Sequence, residues 1–280
     1  MKILLTGTSS FIGRNLNEKL TGYALFVPTS KQLNLLNKNS VVDYVKSNHI
    51  DVILNCANWN AHTDSTKDVS KVLTNNLIMF HNVADCYTLV DKIIYFGSGA
   101  EFDRTHWKNC MKEDYFGVHV PEDGYGLSKY VMCKYAEQIK NIYNLRLFGV
   151  FGPYEDCTKR FVSYCITKAL KNETIEMKQN CAFDYLWIDD LIPIVSWFLD
   201  SKPKHSAYNV CTNTRYELLS LAKKIVKLSQ HNVAIKVFQD GLGSEYSGDN
   251  SLLLREVPCN FTPIGQAIQN LILWYKGKKI

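Results

Sequence analysis

The chain has 280 residues, 46% of them hydrophobic, and its 32 basic and 27 acidic side chains give a formal net charge of +5. This length suffices for a large buried core, and it fits one large α/β domain or a large domain that carries a smaller lobe. Basic and acidic residues interleave along the chain, whereas a nucleic-acid-binding protein has a clustered basic face. No stretch approaches the ~18 apolar residues of a membrane helix. We therefore expect a cytoplasmic protein that binds neither nucleic acid nor a membrane.

The first 150 or so residues alternate short apolar strands with longer helical patterns, which is typical of a parallel sheet built from βαβ units. We predict strands at 2–5, 24–27, 51–55, 92–96 and 145–149. We predict helices at 14–20, 41–46, 71–86 and 126–143. The predicted fold class is therefore α/β, with a Rossmann-type doubly wound parallel sheet over residues 1–152.

Beyond Gly152-Pro153 the pattern becomes less regular. We predict helices at 161–171, 217–229 and 263–275, and short strands at 175–178, 208–211 and 234–238. Residues 153–280 are thus expected to form mainly a smaller C-terminal α+β lobe, with a return to the first domain around 184–200. The sequence contains no long linker, which predicts that the two parts pack as one unit.

The segment after the first predicted strand has the pattern of a dinucleotide-binding turn. It reads Thr6-Gly7-Thr8-Ser9-Ser10-Phe11-Ile12-Gly13 and then enters a helix. Gly7 permits a tight turn and Gly13 lets the helix pack close to the strand, so that a pyrophosphate can lie on the amides of the helix N-terminus. We predict that Gly7, Ser9, Ser10, Phe11, Ile12 and Gly13 bind the cofactor.

The end of the second predicted strand bears on which dinucleotide is bound. It reads Pro28-Thr29-Ser30-Lys31 and lacks the acidic residue that hydrogen-bonds the ribose hydroxyls of NAD. Hydroxyl groups and an ammonium accept a 2′-phosphate, so we predict that Ser30 and Lys31 bind NADP, with Arg14 as a further candidate. The alternative is that Lys31 points only to solvent, as surface lysines usually do.

Tyr125 and Lys129 are four residues apart and therefore lie on one face of a helix. An ammonium beside a phenol favours the phenolate and suits it to general acid or base catalysis. Three other tyrosine–lysine pairs share this spacing, but only Tyr125 opens a long helix between two central strands. Ser98 follows the preceding strand and is predicted to face the ligand crevice, although a serine there can also serve as a turn or cap residue.

Taken together, the motifs resemble those of the extended short-chain dehydrogenase/reductases that act on nucleotide-diphosphate sugars. The resemblance is carried, in chain order, by residues 6–13, Asn55-Cys56-Ala57, Asn76, and residues 97–102, 125–129, 146–153, 184–190 and 208–210. It implies that Tyr125 exchanges a proton with the sugar C4 oxygen while hydride moves between C4 and the nicotinamide. Lys129 would then hold the nicotinamide ribose, and Ser98 would hydrogen-bond the same sugar oxygen.

The resemblance also implies further partners and residues. A nucleotide-diphosphate sugar would be the substrate, and a homodimer would form through a four-helix interface of the helices at 71–86 and 126–143. For NADP(H) the implied residues, besides Tyr125 and Lys129, are Cys56, Ala57 and Asn76. For the substrate they are Ser98, Gly99, Ala100, Arg160 and Arg215, with Arg255 as another candidate, although each arginine is equally compatible with a surface position or a structural ion pair.

Departures from the family pattern narrow the chemistry. Ser10 replaces the middle glycine of the turn and is small enough to keep it working. Gly99 and Ala100 stand where the 4,6-dehydratases carry an acid pair. Ala100 and Arg160 stand where the GDP-fucose synthases use a cysteine and a histidine for epimerisation. Dehydration and double epimerisation are therefore disfavoured, which leaves redox chemistry at one carbon.

Three functions remain open from the sequence. The first is NADPH-dependent reduction of a 4-keto-6-deoxy sugar nucleotide; the second is an NAD-dependent C4-epimerase; the third is a dinucleotide sensor without catalysis. The missing acid after the second strand favours the reductase. The loop 59–62 is as compatible with packing as with ligand binding. Nine cysteines without a CxxC pair and seven histidines without metal spacing predict reduced thiols and no metal site.

Overall fold

The computed structural model describes residues 1–59 and 68–278. Its strands are β1 (Lys2–Thr6), β2 (Ala24–Phe26), β3 (Val52–Asn55), β4 (Lys92–Ser98), β5 (Ile142–Leu147), β6 (Gly149–Phe151), β7 (Ile175–Asn180), β8 (Ala182–Trp187), β9 (Ala207–Val210), β10 (Arg215–Glu217) and β11 (Ile235–Leu242). Its helices are α1 (Phe11–Lys19), α2 (Lys38–Asn48), α3 (Val72–Ala84), α4 (Gly124–Ala136), α5 (Phe161–Leu170), α6 (Ile188–Asp200), α7 (Leu218–Ser229), α8 (Ser251–Leu254) and α9 (Ile264–Gly277).

The main sheet has six parallel strands in the order β2-β1-β3-β4-β5-β9. Successive side chains of a strand face opposite sides, and both sides are apolar here. Leu4 and Ile53 enter a core with α2, α3 and α4, whereas Ile3, Leu5 and Leu54 enter a second core on the other side. Helices on both faces of a parallel sheet make this a doubly wound Rossmann-type fold, which confirms the predicted fold class.

Parallel pairing places the carboxyl ends of all six strands at one edge of the main sheet. The registers align Thr6 with Asn55, Ser98 with Leu147, and Leu147 with Val210. In an open parallel sheet, ligands bind beyond this edge, in the crevice formed by the loops that follow the strands. The predicted glycine turn and Ser98 therefore lie at the edge where a ligand is expected.

Apart from β9, the strands after β5 form two smaller sheets outside the main sheet, and we call them with their helices the smaller lobe. It contains the three-stranded sheet β10-β8-β6 and the parallel pair β11-β7, against which α5, α7 and α9 pack. One apolar core extends from the main sheet into this lobe, for it includes Leu145 of β5 as well as Ile268 of α9. Among the helices of the described residues, none has the length and apolar character needed to cross a bilayer.

Several elements of the structure differ from the prediction. The helix predicted at 126–143 ends at Ala136, because the following residues turn and Ile142–Leu147 form the fully buried strand β5. The strand at 208–211 was placed in the smaller lobe, but β9 pairs with β5 and forms the edge of the main sheet. No helix was predicted where α6 lies, although its buried residues Leu191, Ile194, Val195 and Phe198 have helical spacing; Pro193 inside the segment is typical of a helix boundary and obscures the helix.

Candidate active site

The turn between β1 and α1 forms a cradle with no room for side chains at its two glycines. Gly7 has φ +66°, and a Cβ there would lie 2.6 Å from the amide nitrogen of Ala57. A Cβ on Gly13 would collide with the carbonyl oxygen of Gly7. Ser10 caps α1, its Oγ accepting from the Gly13 amide at 3.2 Å. Serine at this position thus stabilises the start of the helix whose N-terminus faces the crevice.

The end of β3 closes the other side of this cradle. Thr6 Oγ1 donates to Asn55 Oδ1 at 2.6 Å, and the same oxygen accepts from the Ala57 amide at 3.2 Å. The adjoining Cys56 is buried, and its burial raises the pKa of the thiol, so that it stays neutral. Cys56 and Ala57 therefore lie with their backbone against the glycine turn, and their contact with the cofactor stays a prediction.

Asn76 lies on α3, almost fully buried. Its side chain accepts from the Trp59 amide at 2.7 Å and donates to the Trp59 carbonyl at 3.3 Å. The oxygen and the nitrogen of the Asn76 side-chain amide thus both hold the backbone of the segment that follows β3. Asn76 therefore positions this segment beside the crevice. Residues 60–62 of the predicted loop lie outside the described residues.

The residues predicted to choose the dinucleotide lie beyond the end of β2. Ser30 and Lys31 are exposed, in a turn closed by hydrogen bonds from the backbone and the hydroxyl of Thr29 to the side chain of Gln32. Arg14 is directed elsewhere: it pairs with Glu18 at 3.3 Å and stacks on the Tyr154 ring, with 3.7 Å from Cζ to the ring centroid. We therefore retain Ser30 and Lys31, and not Arg14, as candidates for contact with a 2′-phosphate.

Ser98 ends β4 and begins a tight 3-10 turn. Its Oγ accepts from the Ala100 amide at 3.2 Å, and its own amide donates to Glu101 Oε1 at 3.0 Å, which together form a capping box. Glu101 is 0% exposed. Ser98 therefore caps the turn, as the alternative interpretation of this serine expected. A hydroxyl that accepts a hydrogen bond as a cap can still donate its own hydrogen to a ligand.

Glu101 belongs to a buried polar network beneath Ser98. It accepts from Arg146 Nε at 2.7 Å and from the Asn144 side chain at 3.0 Å, and Arg146 Nη1 donates to Asn209 Oδ1 at 3.0 Å. Burial alone would lower the pKa of Arg146, but the charge of Glu101 holds it above its ordinary value. The network ties β4, β5 and β9 together directly under the candidate catalytic serine.

Tyr125 and Lys129 lie on the first turns of α4, which Asp123 caps by accepting from the Gly126 amide at 2.9 Å. A Cβ on Gly126 would lie 2.9 Å from the carbonyl oxygen of Ala100, so the start of α4 packs on the turn that follows Ser98. Lys129 is 6% exposed and donates to the Phe96 carbonyl at 2.8 Å. Its Nζ is 5.9 Å from the centroid of the Tyr125 ring.

Tyr246 is a further residue of this site that the sequence did not indicate. It is 8% exposed, and a Cβ on Gly99 would lie 2.7 Å from its hydroxyl oxygen. Its ring packs against those of Trp107, Phe148 and Phe183, and burial raises the pKa of its hydroxyl to about 12. It lies in a loop of the smaller lobe, distant in sequence from every other site residue, so neither spacing nor periodicity points to it.

The predicted substrate residues are distributed around this phenol. Gly99 and Ala100 lie directly after Ser98, and both are buried. Arg160 is exposed at the start of α5 and interacts with Tyr246 through its charge. Arg215, whose side chain is 51% exposed, pairs with Glu245 at 3.2 Å, next to Tyr246 in the chain. Arg255 is exposed beyond α8 and stays a weaker candidate.

This arrangement fits a nicotinamide dinucleotide. The two glycines leave a cradle that any side chain would fill, and the N-terminus of α1 opens onto it. Lys129 is a nearly buried ammonium with three N–H donors, of which Phe96 takes one, so two remain for a ligand. The described residues contain no group of three or more potential metal ligands.

Comparisons with known proteins agree with this geometry. Residues 3–211 match the model of the NAD dependent epimerase/dehydratase family. An ADP-L-glycero-D-manno-heptose-6-epimerase from Brachyspira hyodysenteriae is 22% identical, over 87% of this chain and 86% of its own. A solved GDP-mannoheptose C4 reductase from Campylobacter jejuni with NADP bound has a TM-score of 0.86, 18% identity and 98% coverage of both chains. A UDP-glucose 4-epimerase from Thermotoga maritima, solved with UDP-glucose, has a TM-score of 0.85, 17% identity and full coverage of both chains.

Proposed function

We propose, from the premise that the chain belongs to the NAD dependent epimerase/dehydratase family, that it uses NADPH to reduce the C4 keto group of a nucleotide-diphosphate 4-keto-6-deoxy sugar. That it is an enzyme of the nucleotide-sugar epimerase and reductase group follows from the family itself; the reaction and the cofactor are our proposal. The observation that carries it is that the start of α4, with Tyr125 and Lys129, packs on the turn after Ser98, where residues 99 and 100 carry no acid.

Each of the three residues has a distinct task in the proposed reaction. A nicotinamide dinucleotide, when bound, supplies the hydride that C4 receives. Tyr125 donates a proton to the C4 oxygen, and Ser98 donates a hydrogen bond to that same oxygen. Lys129 keeps one N–H on Phe96 and uses the others for the ribose and for the phenol. Stabilising charge that develops on the oxygen in this way is the main means by which such a site lowers the barrier.

The surroundings of Ser98 support reduction over dehydration. Elimination of water across C5 and C6 needs a base and an acid, and Gly99 and Ala100 have neither. Glu101, the next acid along the chain, is fully buried and is bound to Arg146 and Asn144. We infer that the site is limited to hydride and proton transfer at one carbon.

The choice of NADPH rests on the exposed turn beyond β2. We expect Lys31→Ala to weaken NADPH binding about tenfold to hundredfold and to leave NADH binding unchanged, because one charge-assisted contact to a phosphate contributes roughly 1.5–3 kcal/mol. The measurement is cofactor fluorescence titration of both dinucleotides. The control is Lys46→Ala, which removes an exposed lysine near the C-terminal end of α2. Equal loss for both dinucleotides, or loss for neither, would remove Lys31 from the site.

We propose the smaller lobe, mainly residues 153–280, as the holder of the nucleotide diphosphate, with Arg160 and Arg215 nearest the crevice. A homodimer through α3 and α4 is also proposed: the two helices pack side by side on one face of the sheet, and Ile78 of α3 is 39% exposed. Sedimentation of the purified protein measures this directly, and a monomer at all concentrations would remove the dimer from the account.

The proposed function is tested first by binding and then by turnover. GDP, CDP, dTDP and UDP are compared in thermal unfolding with NADPH present, since a ligand at a hundred times its Kd stabilises the fold by ~2.7 kcal/mol. The 4-keto-6-deoxyhexose linked to the most stabilising diphosphate is then supplied with NADPH. The proposal expects net oxidation of NADPH. A C4-epimerase would instead retain NAD through purification and turn over without added reductant.

A further inference from the structure

Strand β11 forms an exposed edge of the smaller lobe. Among the described residues it pairs only with β7, in a two-stranded parallel sheet. Every residue from Lys236 to Leu242 is exposed, and three of them are apolar: Val237, Phe238 and Leu242 are 37%, 66% and 60% exposed. An exposed apolar strand with an unpaired edge is a template for pairing with a further strand. β11 is therefore a place where the addition of a strand is expected.

The hydrogen bonds to β7 show which backbone groups of β11 face outward. The amide of Ile175 in β7 donates to the Ala234 carbonyl, directly before β11, at 2.9 Å. In a parallel pair the polar groups of every second residue point to the same neighbour, so the even-numbered residues face β7. The Asp240 carbonyl follows this alternation, since it accepts from the Gln179 side chain at 3.3 Å. The amides and carbonyls of residues 237 and 239 consequently point away from β7.

The charges of β11 are arranged symmetrically about one aromatic residue. Lys236 lies two residues before Phe238, and Asp240 lies two residues after it. When two copies of the strand pair antiparallel with Phe238 opposite Phe238, Lys236 of each copy faces Asp240 of the other. The outward groups of residues 237 and 239 then hydrogen-bond across the two-fold axis. The aromatic and charged pairs fall between these bonds, where facing side chains approach most closely.

The alternative is that the charges protect the edge from pairing. Lysines and bulges do this in many proteins, and a bulge after Gln239 ends the regular register with β7 here. An edge that carries only lysine repels a second copy, however, whereas opposite charges equidistant from Phe238 attract one. Lys236 also contacts Glu176 at 3.8 Å, but both side chains are exposed, and such a pair is weak and leaves donors of the ammonium unused. The charge pattern thus favours a second copy of the chain as the occupant.

We propose that β11 is an interaction surface between two copies of this chain, paired antiparallel about Phe238 into one continuous sheet of the order β7-β11-β11-β7. A two-fold interface of this kind is self-complementary, as the charges of β11 are. Because β7 contacts α5 and α7, the surface is separate from α3 and α4, and the two interfaces together would join dimers into a tetramer. The contact is small, so we expect micromolar affinity. The proposal goes beyond the proposed function and is independent of the reaction.

The test exchanges the two charges and measures the mass of the full-length protein by sedimentation equilibrium, at about 1 to 300 µM to span a weak association. Lys236→Asp and Asp240→Lys each place like charges opposite one another on both sides of the axis. Each is expected to raise the Kd of association at least about tenfold. The combined variant restores opposite charges and is expected to associate within about threefold of wild type.

Two further variants separate the interface from the fold of the strand. Val237→Pro removes an amide that faces away from β7, so it takes a hydrogen bond from the interface and none from the pairing with β7. We expect it to abolish the association while the circular dichroism spectrum and the unfolding temperature stay close to those of wild type. Glu176→Gln is the matched control: it breaks the ion pair of Lys236 within the chain and is expected to associate as wild type does.

The same mass for the wild type and both single-charge variants would overturn the proposal and would assign the edge to an extended segment of another protein. A combined variant that does not regain the association would overturn it as well, because the charges would then not face each other across the axis. NADPH oxidation by the same variants measures the proposed function separately, and its outcome leaves this proposal unchanged.

Discussion

Tyr125→Phe is expected to lower kcat by about 10²–10⁴-fold while the protein still binds NADPH. Removing the hydroxyl takes away the only group that we place within reach of the C4 oxygen as a proton donor, and general acid catalysis contributes a factor of that size. The ring itself remains, so the packing at the start of α4 is preserved. Steady-state kinetics with the 4-keto sugar nucleotide and fluorescence titration with NADPH measure the two quantities.

Tyr130→Phe is the matched control for this prediction. Tyr130 lies on the same helix and has Lys134 four residues later, at the same spacing as Tyr125 and Lys129. Its ring, however, packs on Phe116, with 5.0 Å between the centroids. We expect wild-type kcat in this variant. If both variants lost activity equally, or if Tyr125→Phe kept wild-type turnover, the catalytic role of Tyr125 would be refuted.

Arg146→Met is expected to lower the free energy of unfolding by about 3–5 kcal/mol. The substitution leaves the Glu101 carboxylate fully buried without its charged partner, and an uncompensated buried charge costs this much. Asn209 would lose a donor as well. Urea unfolding of the cofactor-free protein, followed by circular dichroism, measures the change.

Two comparisons make the Arg146 prediction specific. Adding Glu101→Gln to Arg146→Met is expected to recover part of the loss, since the buried charge is then gone. Arg14→Met breaks an exposed ion pair with Glu18 and is expected to cost about 1 kcal/mol or less. A loss in Arg146→Met no greater than that in Arg14→Met would show that the buried network does not stabilise the fold.

Local signals in the sequence were sufficient for much of the fold. The apolar strands, the glycines around the first turn and the alternation of strands with helices specify a parallel sheet, because each reports on residues close together in the chain. The same holds for Tyr125 and Lys129, which one helix brings together. Their roles, and those of the cofactor-binding and substrate-binding residues, stay predictions until they are measured.

Local sequence signals could not predict contacts between distant parts of the chain. Glu101 and Arg146 are each ordinary in sequence, and only the pairing of β4 with β5 buries them together. Tyr246 is one of 16 tyrosines and reaches Gly99 through a strand-like segment of the smaller lobe. The place of β9 likewise depends on pairing, since a strand of four residues fits either lobe equally well.

The proposed reductase and its nearest alternative, a C4-epimerase, are distinguished by the fate of the hydride. A reductase and a C4-epimerase of this fold use the same three residues, and both move a hydride at C4. They differ in whether the product or the dinucleotide carries the hydride after turnover. The reductase leaves it on the product and consumes one dinucleotide for each sugar, whereas the epimerase returns every dinucleotide to its starting state.

The most direct test follows the hydride itself. The purified protein is supplied with NADPH deuterated at the transferable position and with the 4-keto-6-deoxy sugar nucleotide, and the product is examined by mass spectrometry and NMR. The account predicts one deuterium at C4 of each product molecule and an equal amount of NADP⁺. Unchanged 4-keto sugar nucleotide with no NADP⁺ formed, or a product without deuterium at C4, would contradict it.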